Sequence, residues 1–319
     1  MKETCLFCGS DELLPYALGI RDHLRIAQAR HDSYRCQKCG SLRLVPLPTQ
    51  EYLAKVYPQE CHFHKDSGSW PRDLYNRLEW WLFYQPVLRS SAKLVSQETG
   101  VHSGRVLDVG CGNGLRLQQL SKAGYETEGV DFASINVQYA REVLGLKVWE
   151  ANVEETGLPL NRYHLLLMYW VMEHLGKPAD LVRKAKDSLL PEGWGIFAVP
   201  LADSWVSRLF RQFWGQIREA PRHIGIPSSR GMVILLENQG FKNIKARPVS
   251  TLELAGDVAL TLWPRGNFFM TTGKWAFLKI LDRMMVGLLT FMGIPLILLF
   301  KALGVKQGLT VFFAQKRRG

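Results

Sequence analysis

Short apolar runs recur through the middle of the chain and end at glycines or polar residues, and amphipathic stretches separate them. The predicted strands are 105–109, a run ending at 129–131, a run ending near Trp149, 165–169 and 195–199. The predicted helices between them include 115–123 and 179–189. Strands that alternate with amphipathic helices are typical of a parallel sheet with helices on both faces.

A longer apolar segment, 284–300, contains no charged residue and lies between two further strand-like runs, 240–244 and 308–316. It is interrupted by two glycines and Pro295, and it is slightly short of the ~20 apolar residues that a spanning helix needs. Spanning would also place the last strand on the wrong side of the membrane from its sheet. We therefore expect an interfacial helix or helical hairpin, with a buried lid or a dimer contact as the alternative. Basic residues flank it, as expected beside anionic headgroups: Lys274, Lys279, Arg283, Lys301 and Lys306.

Two Cys-x-x-Cys pairs lie near the N-terminus, each followed by glycine: Cys5 with Cys8, and Cys36 with Cys39. Four thiolates in this arrangement are typical of a structural Zn²⁺ site, and they leave no open position for catalysis. Metal binding would largely drive the folding of so short a segment, with a hairpin or short helix at 22–30 between the pairs. A redox pair or unliganded core cysteines are the alternatives, and His23 and His31 are expected to be solvated loop residues.

The most specific chemical pattern follows the first predicted strand, where Asp108 precedes glycines at alternate positions, Gly110, Gly112 and Gly114. These glycines let the backbone pass close to a ligand, and the amides of the turn and the following helix face that ligand as donors. A dinucleotide fingerprint has the different spacing Gly-x-Gly-x-x-Gly. An acid before the first glycine repels a pyrophosphate but suits the ammonium of an amino acid.

This stretch resembles motif I of the class I S-adenosylmethionine (SAM) methyltransferases, and later landmarks agree with that family over roughly residues 104–200. The resemblance implies a Rossmann-like fold: a seven-stranded, mostly parallel sheet whose last strand is antiparallel. It also implies SAM as the cofactor, with the ribose on Asp131 and the adenine on Asn152 and Val153; the family has aspartate where Asn152 stands. The cofactor-binding residues that it implies are Asp108, Gly110, Cys111, Gly112, Asn113, Gly114, Asp131, Phe132, Asn152, Val153 and Tyr169.

Three residues are candidates for acid–base work, Glu173, His174 and His223. The first two lie just past the fourth strand of the predicted sheet, where ligands bind in open α/β sheets. The segment resembles the Glu-x-x-Glu-His segment of methyltransferases related to those of quinone biosynthesis, which helps to place the substrate. Trp170 replaces its first acid, which argues against a metal there. His174 is a candidate general base or substrate contact, and the alternative is a histidine that caps or packs the following helix.

The formal net charge of +11 favours acidic partners, whether nucleic acid, anionic lipid or phosphorylated substrates. Arginines and aromatics mix between the fifth strand and the next helix, which suits an anionic acceptor, and a solvated basic face is the alternative. A small-molecule or lipid-linked acceptor, whether anionic, saccharide or polyprenyl, is therefore preferred. An RNA methyltransferase is the first alternative, but no Asn-Pro-Pro-Tyr-type motif follows strand four. A non-catalytic SAM-binding scaffold is the second. The arginines are Arg208, Arg211, Arg218, Arg222 and Arg230.

We divide the chain into a zinc ribbon, a helical linker that lies as a lid over the SAM pocket, the methyltransferase core, the apolar insertion and a final strand with a basic tail. The boundaries are 1–48, 49–103, 104–251, 252–307 and 308–319. Aromatics at 74–95 are expected to pack in a helix over the sheet edge, and His62 or His64 could serve in the lid. The N-terminus has no apolar run, so we expect no secretory signal and a cytoplasmic location, peripheral on the inner face of the cell membrane.

Overall fold

The computed structural model describes residues 3–57, 74, 77–266 and 276–318. Within them the strands are β1 (Leu13–Arg21), β2 (Arg30–Cys36), β3 (Leu42–Leu44), β4 (Gly104–Val109), β5 (Tyr125–Asp131), β6 (Lys147–Glu150), β7 (Tyr163–Tyr169), β8 (Leu189–Pro200), β9 (Gly225–Ile226), β10 (Phe241–Pro248) and β11 (Leu309–Lys316). The helices are α1 (Gln50–Val56), α2 (Gln85–Thr99), α3 (Leu115–Lys122), α4 (Ser134–Glu142), α5 (Pro178–Ser188), α6 (Trp205–Phe210), α7 (Ser229–Asn238), α8 (Thr251–Leu262) and α9 (Ala276–Ala302).

The central sheet has seven strands in the order β10-β11-β8-β7-β4-β5-β6. Neighbours pair in parallel from β8 to β6, whereas β11 runs antiparallel to both β8 and β10. The middle strands are apolar and buried because helices cover both faces, as in α/β proteins generally. This arrangement confirms the predicted fold, and it brings the carboxyl ends of β4, β5 and β7 to one edge.

One local expectation differs in detail. The predicted strand 195–199 begins earlier than expected, because β8 starts at Leu189, which pairs with Tyr163. The register shifts before the next pair, and Glu192 has a φ of +62°. The stretch therefore combines strand pairing with a turn-like irregularity.

A second, four-stranded sheet has the order β1-β2-β3-β9, with antiparallel pairing throughout. A hairpin, β1 with β2, occupies the space between the two cysteine pairs, and residues 22–29 form its irregular loop. The fourth strand, β9, comes from the segment that follows the fifth parallel strand of the central sheet. The N-terminal sheet is thus completed by residues far along the chain.

The apolar insertion is a helical hairpin made by α8 and α9, and α9 continues through Pro295. Residues Ile280–Ala302 are long and apolar enough to cross a membrane, and only 11% of an 18-residue apolar window within them is buried inside the protein. The hairpin starts beside the carboxyl edge of the central sheet, where β10 ends. Because β11 follows α9 and pairs with β8 and β10, the hairpin as a whole begins and ends at this edge of the sheet.

The aromatic turn before α2 is more exposed than expected. Residues Trp80–Tyr84 form one π-helical turn in which no residue is buried, and Trp81 is 66% exposed. Phe83 contacts Phe291 of α9, with ring centroids 5.2 Å apart. A core role is therefore wrong for Trp81, while Tyr75, His62 and His64 lie outside the described residues. The exposed turn adjoins the exposed face of α9.

Candidate active site

The backbone turn after β4 leaves space above Gly112. Gly110, Gly112 and Gly114 have φ values of +70°, +55° and +79°, the left-handed region that glycine adopts most readily. A Cβ at Gly110 would lie 2.5 Å from Cγ2 of Val171, whereas a Cβ at Gly112 would meet no atom within 4 Å. The turn is packed at one glycine and open at another, as a ligand passing close to the backbone requires.

Asp131 ends β5 and fastens this turn. Its carboxylate accepts hydrogen bonds from the backbone N–H groups of Gly112 at 2.8 Å and Ala133 at 2.9 Å. Burial raises the pKa of Asp131, although the backbone donors oppose the shift. The side chain of Cys111 packs towards β5, since a Cβ on Gly129 would lie 2.8 Å from its Sγ. For Cys111, therefore, the backbone is the part that lines the turn.

Buried polar atoms without partners gather at the ends of β4 and β7. They are Oδ1 of Asp108, Nδ2 of Asn113, Nη1 of Arg116 and the hydroxyl of Tyr169. Burial raises the pKa of Asp108 to about 7, with Arg116 opposing the rise and Asp131 adding to it. Buried polar groups are normally hydrogen-bonded, so such a set indicates a polar ligand. One acid among several donors matches the ammonium and carboxylate of an amino acid.

Arg116 was not predicted from the sequence. Its guanidinium stacks 3.7 Å from the ring centroid of Tyr169, and Glu253 in the first turn of α8 interacts electrostatically with both. A signal was available: Arg116 lies in the first turn of α3, where the helix dipole disfavours a cation. A charge placed against this preference points to a binding role.

The expected adenine contacts lie along the same edge. Asn152 is exposed, and its amide donates 2.8 Å to Glu155 while its carbonyl accepts from the backbone N–H of Glu154. Val153 is half-buried beside it. Phe132 is 57% exposed and meets the ring of Tyr57 edge-on, with centroids 5.5 Å apart.

Glu173, His174 and His223 form a compact cluster. Their possible ligand atoms all lie within 4.8 Å of one another, and the two histidine rings are 4.7 Å apart, edge to face. Burial lowers the pKa of both histidines, that of His223 to about 3, with His174 contributing to the latter. Burial raises the pKa of Glu173 to about 8. Near neutral pH, all three side chains are therefore mainly uncharged.

Comparison with known proteins identifies the family. Residues 80–246, more than half of the chain, match a family model described as a methyltransferase domain. The chain belongs to this methyltransferase family. It is a class I, SAM-dependent methyltransferase, as its motif and fold predict.

Individual relatives agree with this assignment. The methyltransferase is 30% identical over 192 residues to the ubiquinone biosynthesis O-methyltransferase of Bordetella avium, across 53% of this chain and 75% of that protein. It is also 30% identical over 115 residues to the protein of the same name from Bordetella bronchiseptica, a match across 33% of this chain and 46% of the relative. It thus spans about half the length of that second relative.

A solved mycolic acid cyclopropane synthase, complexed with SAH and CTAB, superposes on the methyltransferase with a TM-score of 0.51. The superposition covers 71% of this chain and 83% of that one at 15% identity, so it is a likeness of fold.

The four predicted cysteine ligands come together in the methyltransferase. Sγ of Cys5 lies 3.6 Å from Sγ of Cys39, Sγ of Cys8 lies 3.5 Å from Sγ of Cys36, and all four sulfurs are within 4.8 Å of one another. Zinc held by four thiolates at about 2.3 Å in a tetrahedron requires sulfur atoms about 3.8 Å apart. The donor set and spacing fit such an ion. All four cysteines are free thiols in this structure.

The arginines between β8 and α7 do not converge on one pocket. Arg222 is buried and hydrogen-bonded to Asp22 and Glu219. Arg211 lies 5.7 Å from the ring centroid of Tyr16, and burial lowers the pKa of Arg218. The expectation of solvated loop histidines is wrong for His23, which is buried 3.0 Å from Glu219. Arg208, Arg211 and Arg230 are exposed, as the alternative of a solvated basic face predicts, whereas Arg222 joins two segments of the methyltransferase.

Proposed function

We infer that this methyltransferase transfers the methyl group of SAM to a small-molecule or lipid-linked acceptor at the cytoplasmic surface of a membrane. The inference rests on the fact that three features lie at the same edge of the central sheet. The partnerless polar atoms, the histidine cluster and the start of the apolar hairpin all lie at the carboxyl edge of the central sheet. An acceptor embedded in or tethered to a bilayer would meet the active site there.

The residues that would hold SAM follow from the geometry. Asp108 would take the ammonium, while Arg116, Asn113 and the hydroxyl of Tyr169 would donate to the carboxylate. Asp131 would accept from the ribose hydroxyls, and the turn from Gly110 to Gly114 would pass beneath the cofactor.

At the adenine, Asn152 and Val153 would border one edge and Phe132 would offer its exposed ring. The amide of Asn152 would then exchange its contact with Glu155 for one with the base. Tyr57, whose ring lies between Phe132 and His174, would close this side of the site.

The proton of the acceptor would go to His174. When bound, SAM supplies a methyl group already activated by its sulfonium. Nδ1 of His174 lies 3.0 Å from the carbonyl oxygen of Arg222, and because a carbonyl only accepts, Nδ1 carries the proton and Nε2 keeps its lone pair. His223, whose Nδ1 lies 2.8 Å from the carbonyl oxygen of Gln216, would assist by orienting the acceptor. Neutral Glu173 would donate a hydrogen bond to it.

The acceptor class rests on the exposed face of α9. Leu281, Met284, Leu288, Met292 and Leu299 recur at helical spacing, each more than two-fifths exposed. With Trp81 and Leu82 beside them, they would enter the headgroup boundary of a bilayer. The relatives are O-methyltransferases of ubiquinone biosynthesis by name, which favours a hydroxyl on a lipid-like acceptor.

The contact with anionic headgroups would be weaker than the flanking basic residues predict. Arg283 pairs with Glu79, and Lys306 lies 2.6 Å from Asp203, so both are engaged within the protein. Lys274 lies outside the described residues, as does the side chain of Lys279. Burial of apolar side chains of α9 in the bilayer, rather than charge, would therefore provide most of the membrane affinity.

A structural Zn²⁺ on Cys5, Cys8, Cys36 and Cys39 is part of the proposal. These residues would hold the ion, which would lock the knuckles of the N-terminal sheet and take no part in methyl transfer.

The test incubates the purified protein with radiolabelled SAM and cell extract, then separates lipid, RNA and water-soluble fractions. We expect label in lipid, and His174→Gln should reduce it by about 10²- to 10⁴-fold without weakening SAM binding. Label in RNA would overturn the proposed acceptor class and favour the RNA methyltransferase alternative. A soluble labelled product would make α9 a lid or oligomer contact, and SAM binding without turnover would indicate a scaffold.

A further inference from the structure

We propose that the buried ion pair of Arg222 with Asp22 is a positioning device through which the N-terminal sheet holds both active-site histidines with Nε2 free. The inference deepens the proposed function and rests on it for the role of His174. It assigns a part in catalysis to residues that touch neither cofactor nor acceptor.

Both histidines are anchored on the backbone of one short segment, 216–224. Nδ1 of His174 donates to the carbonyl oxygen of Arg222 at 3.0 Å, and Nδ1 of His223 donates to that of Gln216 at 2.8 Å. The backbone N–H of Ile224 also donates to the carbonyl of Glu173 at 2.7 Å. The direction in which the two Nε2 atoms point is thus set by where this segment lies.

Little regular structure holds segment 216–224 in place. It contains a three-residue 3-10 turn, Ile217–Glu219, followed by irregular chain up to β9. A carbonyl on such a segment fixes a histidine only if something else fixes the segment.

Arg222 supplies that restraint from inside the protein. Its guanidinium, on a residue only 3% exposed, donates to both carboxylate oxygens of Asp22 at 2.7 and 3.1 Å, and twice to Glu219 at 3.1 and 2.8 Å. A planar guanidinium that engages two carboxylates has little freedom to rotate or shift. The carbonyl of the same residue is the one that receives His174.

Asp22 is in turn rigid because it belongs to a capped loop of the N-terminal sheet. Its oxygens accept from the backbone N–H groups of Leu24, Ile26 and Ala27 at 2.9 to 3.0 Å. The neighbouring His23 joins the same contact, with Nε2 3.0 Å from Glu219 and its backbone N–H on the carbonyl of Arg218.

The charged groups around Arg222 are largely shielded from solvent, so water cannot take the place of a lost ion-pair partner. Burial alone would raise the pKa of Glu219, but His23 and Arg222 reverse this and lower it, so Glu219 stays ionised. For Asp22, the hydrogen bonds and charge of Arg222 likewise outweigh burial and lower its pKa. Neutralising Asp22 would leave Arg222 with one carboxylate fewer in a buried place, and the segment would have to move to compensate.

The experiment records proton–nitrogen correlation spectra of full-length protein labelled with ¹⁵N at its 8 histidines. The two active-site signals are assigned with His174→Gln and His223→Gln. In the native protein we expect the pattern of a fixed Nδ1–H tautomer for both. In Asp22→Asn, His174 should lose this pattern and show averaged nitrogens, while Asp22→Glu, which keeps the charge, should restore much of it.

The matched control is Asp32→Asn. It makes the same change in the same sheet and removes an acceptor for the backbone N–H of Gly19 at 2.7 Å, away from segment 216–224. The histidine pattern should stay native in this variant. An equal loss in Asp32→Asn would show general loosening of the sheet and overturn the proposal, as would a native pattern in Asp22→Asn.

If Asp22→Asn does not fold, Arg222→Lys carries the test, since lysine keeps the charge but cannot engage both carboxylates; an unchanged pattern would again overturn the proposal. SAM affinity is measured by calorimetry on the same samples and should be unchanged in all of them. A protein that fails to bind SAM but shows the expected histidine patterns would contradict the proposed function and would still support the positioning role of Arg222 and Asp22.

Discussion

Single buried polar atoms mark the proposed cofactor site. Asp108, Asn113, Arg116 and Tyr169 each bring a buried polar atom without a partner to the same edge of the sheet. In a protein without a ligand there, such atoms would cost stability, because burial without hydrogen bonds is unfavourable by about 1–3 kcal/mol per group. The arrangement is understandable if a ligand with an ammonium and a carboxylate completes it.

Asp131 should be essential for cofactor affinity. Asp131→Ala removes the proposed ribose acceptor and the support of the Gly112 amide, so we expect SAM to bind about 10- to 100-fold more weakly by calorimetry. Glu126→Ala, an exposed acid at the other end of the same strand, should bind normally. Unchanged affinity in Asp131→Ala would contradict the assignment of the pocket.

Arg116 should recognise one end of the cofactor only. Arg116→Met should weaken SAM binding by about 10-fold or more, because a charged hydrogen bond to the carboxylate is lost. Methylthioadenosine lacks the amino-acid end and is the matched probe: its affinity should not differ between the variant and the native protein. Equal losses for both ligands would place Arg116 elsewhere in the site.

Asp108 should make SAM binding depend on pH. Its pKa is about 7 in the cofactor-free protein, and an ammonium ligand requires the ionised form. Below pH 7 a proton must leave Asp108 before binding, so affinity should fall by up to about 10-fold for each unit by which the pH is lowered. Calorimetry from pH 5.5 to 7.5 measures this dependence. Asp108→Asn should bind weakly with a flat profile, and a steep profile there would assign the titration to another group.

At the scale of elements, the sequence predicted the middle of the central sheet well because β7 and the second half of β8 are buried and consist mainly of apolar residues. The runs around Val109 and Tyr169 differ from their predicted ends by at most two residues. Exposure was harder to predict, as Trp81 and the aromatic turn show. Aromatic residues at helical spacing look alike whether they face a core or open space, and a tertiary neighbour decides between the two.

The hairpin made by α8 and α9 should bind membranes through its exposed face. In flotation with vesicles of equal parts phosphatidylcholine and phosphatidylglycerol, Leu288→Asp combined with Met292→Asp should lose most of the bound fraction, because two charges would enter the headgroup boundary. SAM affinity should be retained.

The control for α9 carries the same two changes at exposed apolar positions of the core, Val143→Asp with Leu160→Asp, which are 63% and 71% exposed. This variant should float like the native protein. Equal flotation of both variants would mean that α9 is not the membrane contact and is free to serve as a lid or an oligomer interface.

For the molecule as a whole, local patterns could not reveal how the N-terminal sheet meets the core. The Cys-x-x-Cys spacing predicted a four-thiolate cluster, and the sulfurs do assemble. The contact of Asp22 with Arg222 joins residues 200 positions apart, and neither residue has an unusual local pattern. The same is true of His174 and His223, which were selected separately from the sequence and meet only because of the fold.

Zinc should stabilise the whole methyltransferase. The N-terminal sheet that it would hold together takes its fourth strand, β9, from the chain segment that follows β8 of the central sheet. We expect metal analysis to find one zinc per chain, lost in Cys8→Ser, with the thermal midpoint lower by several degrees. Lys38→Ser changes an exposed residue between two of the thiols and should keep both zinc and midpoint. A native protein that contains no zinc and has the same thermal midpoint as Cys8→Ser would indicate that the cysteines are core residues or a redox pair.

Strand β9 also sets an order of events during synthesis. The N-terminal sheet pairs β3 with Gly225–Ile226, so its last edge stays open until more than two-thirds of the chain has left the ribosome. The cysteines emerge first and the residues that close their sheet emerge much later. Nascent chains should therefore hold a zinc-ready hairpin with an open edge for many seconds, at about 5–20 residues per second, an interval in which a chaperone would find a natural place to bind.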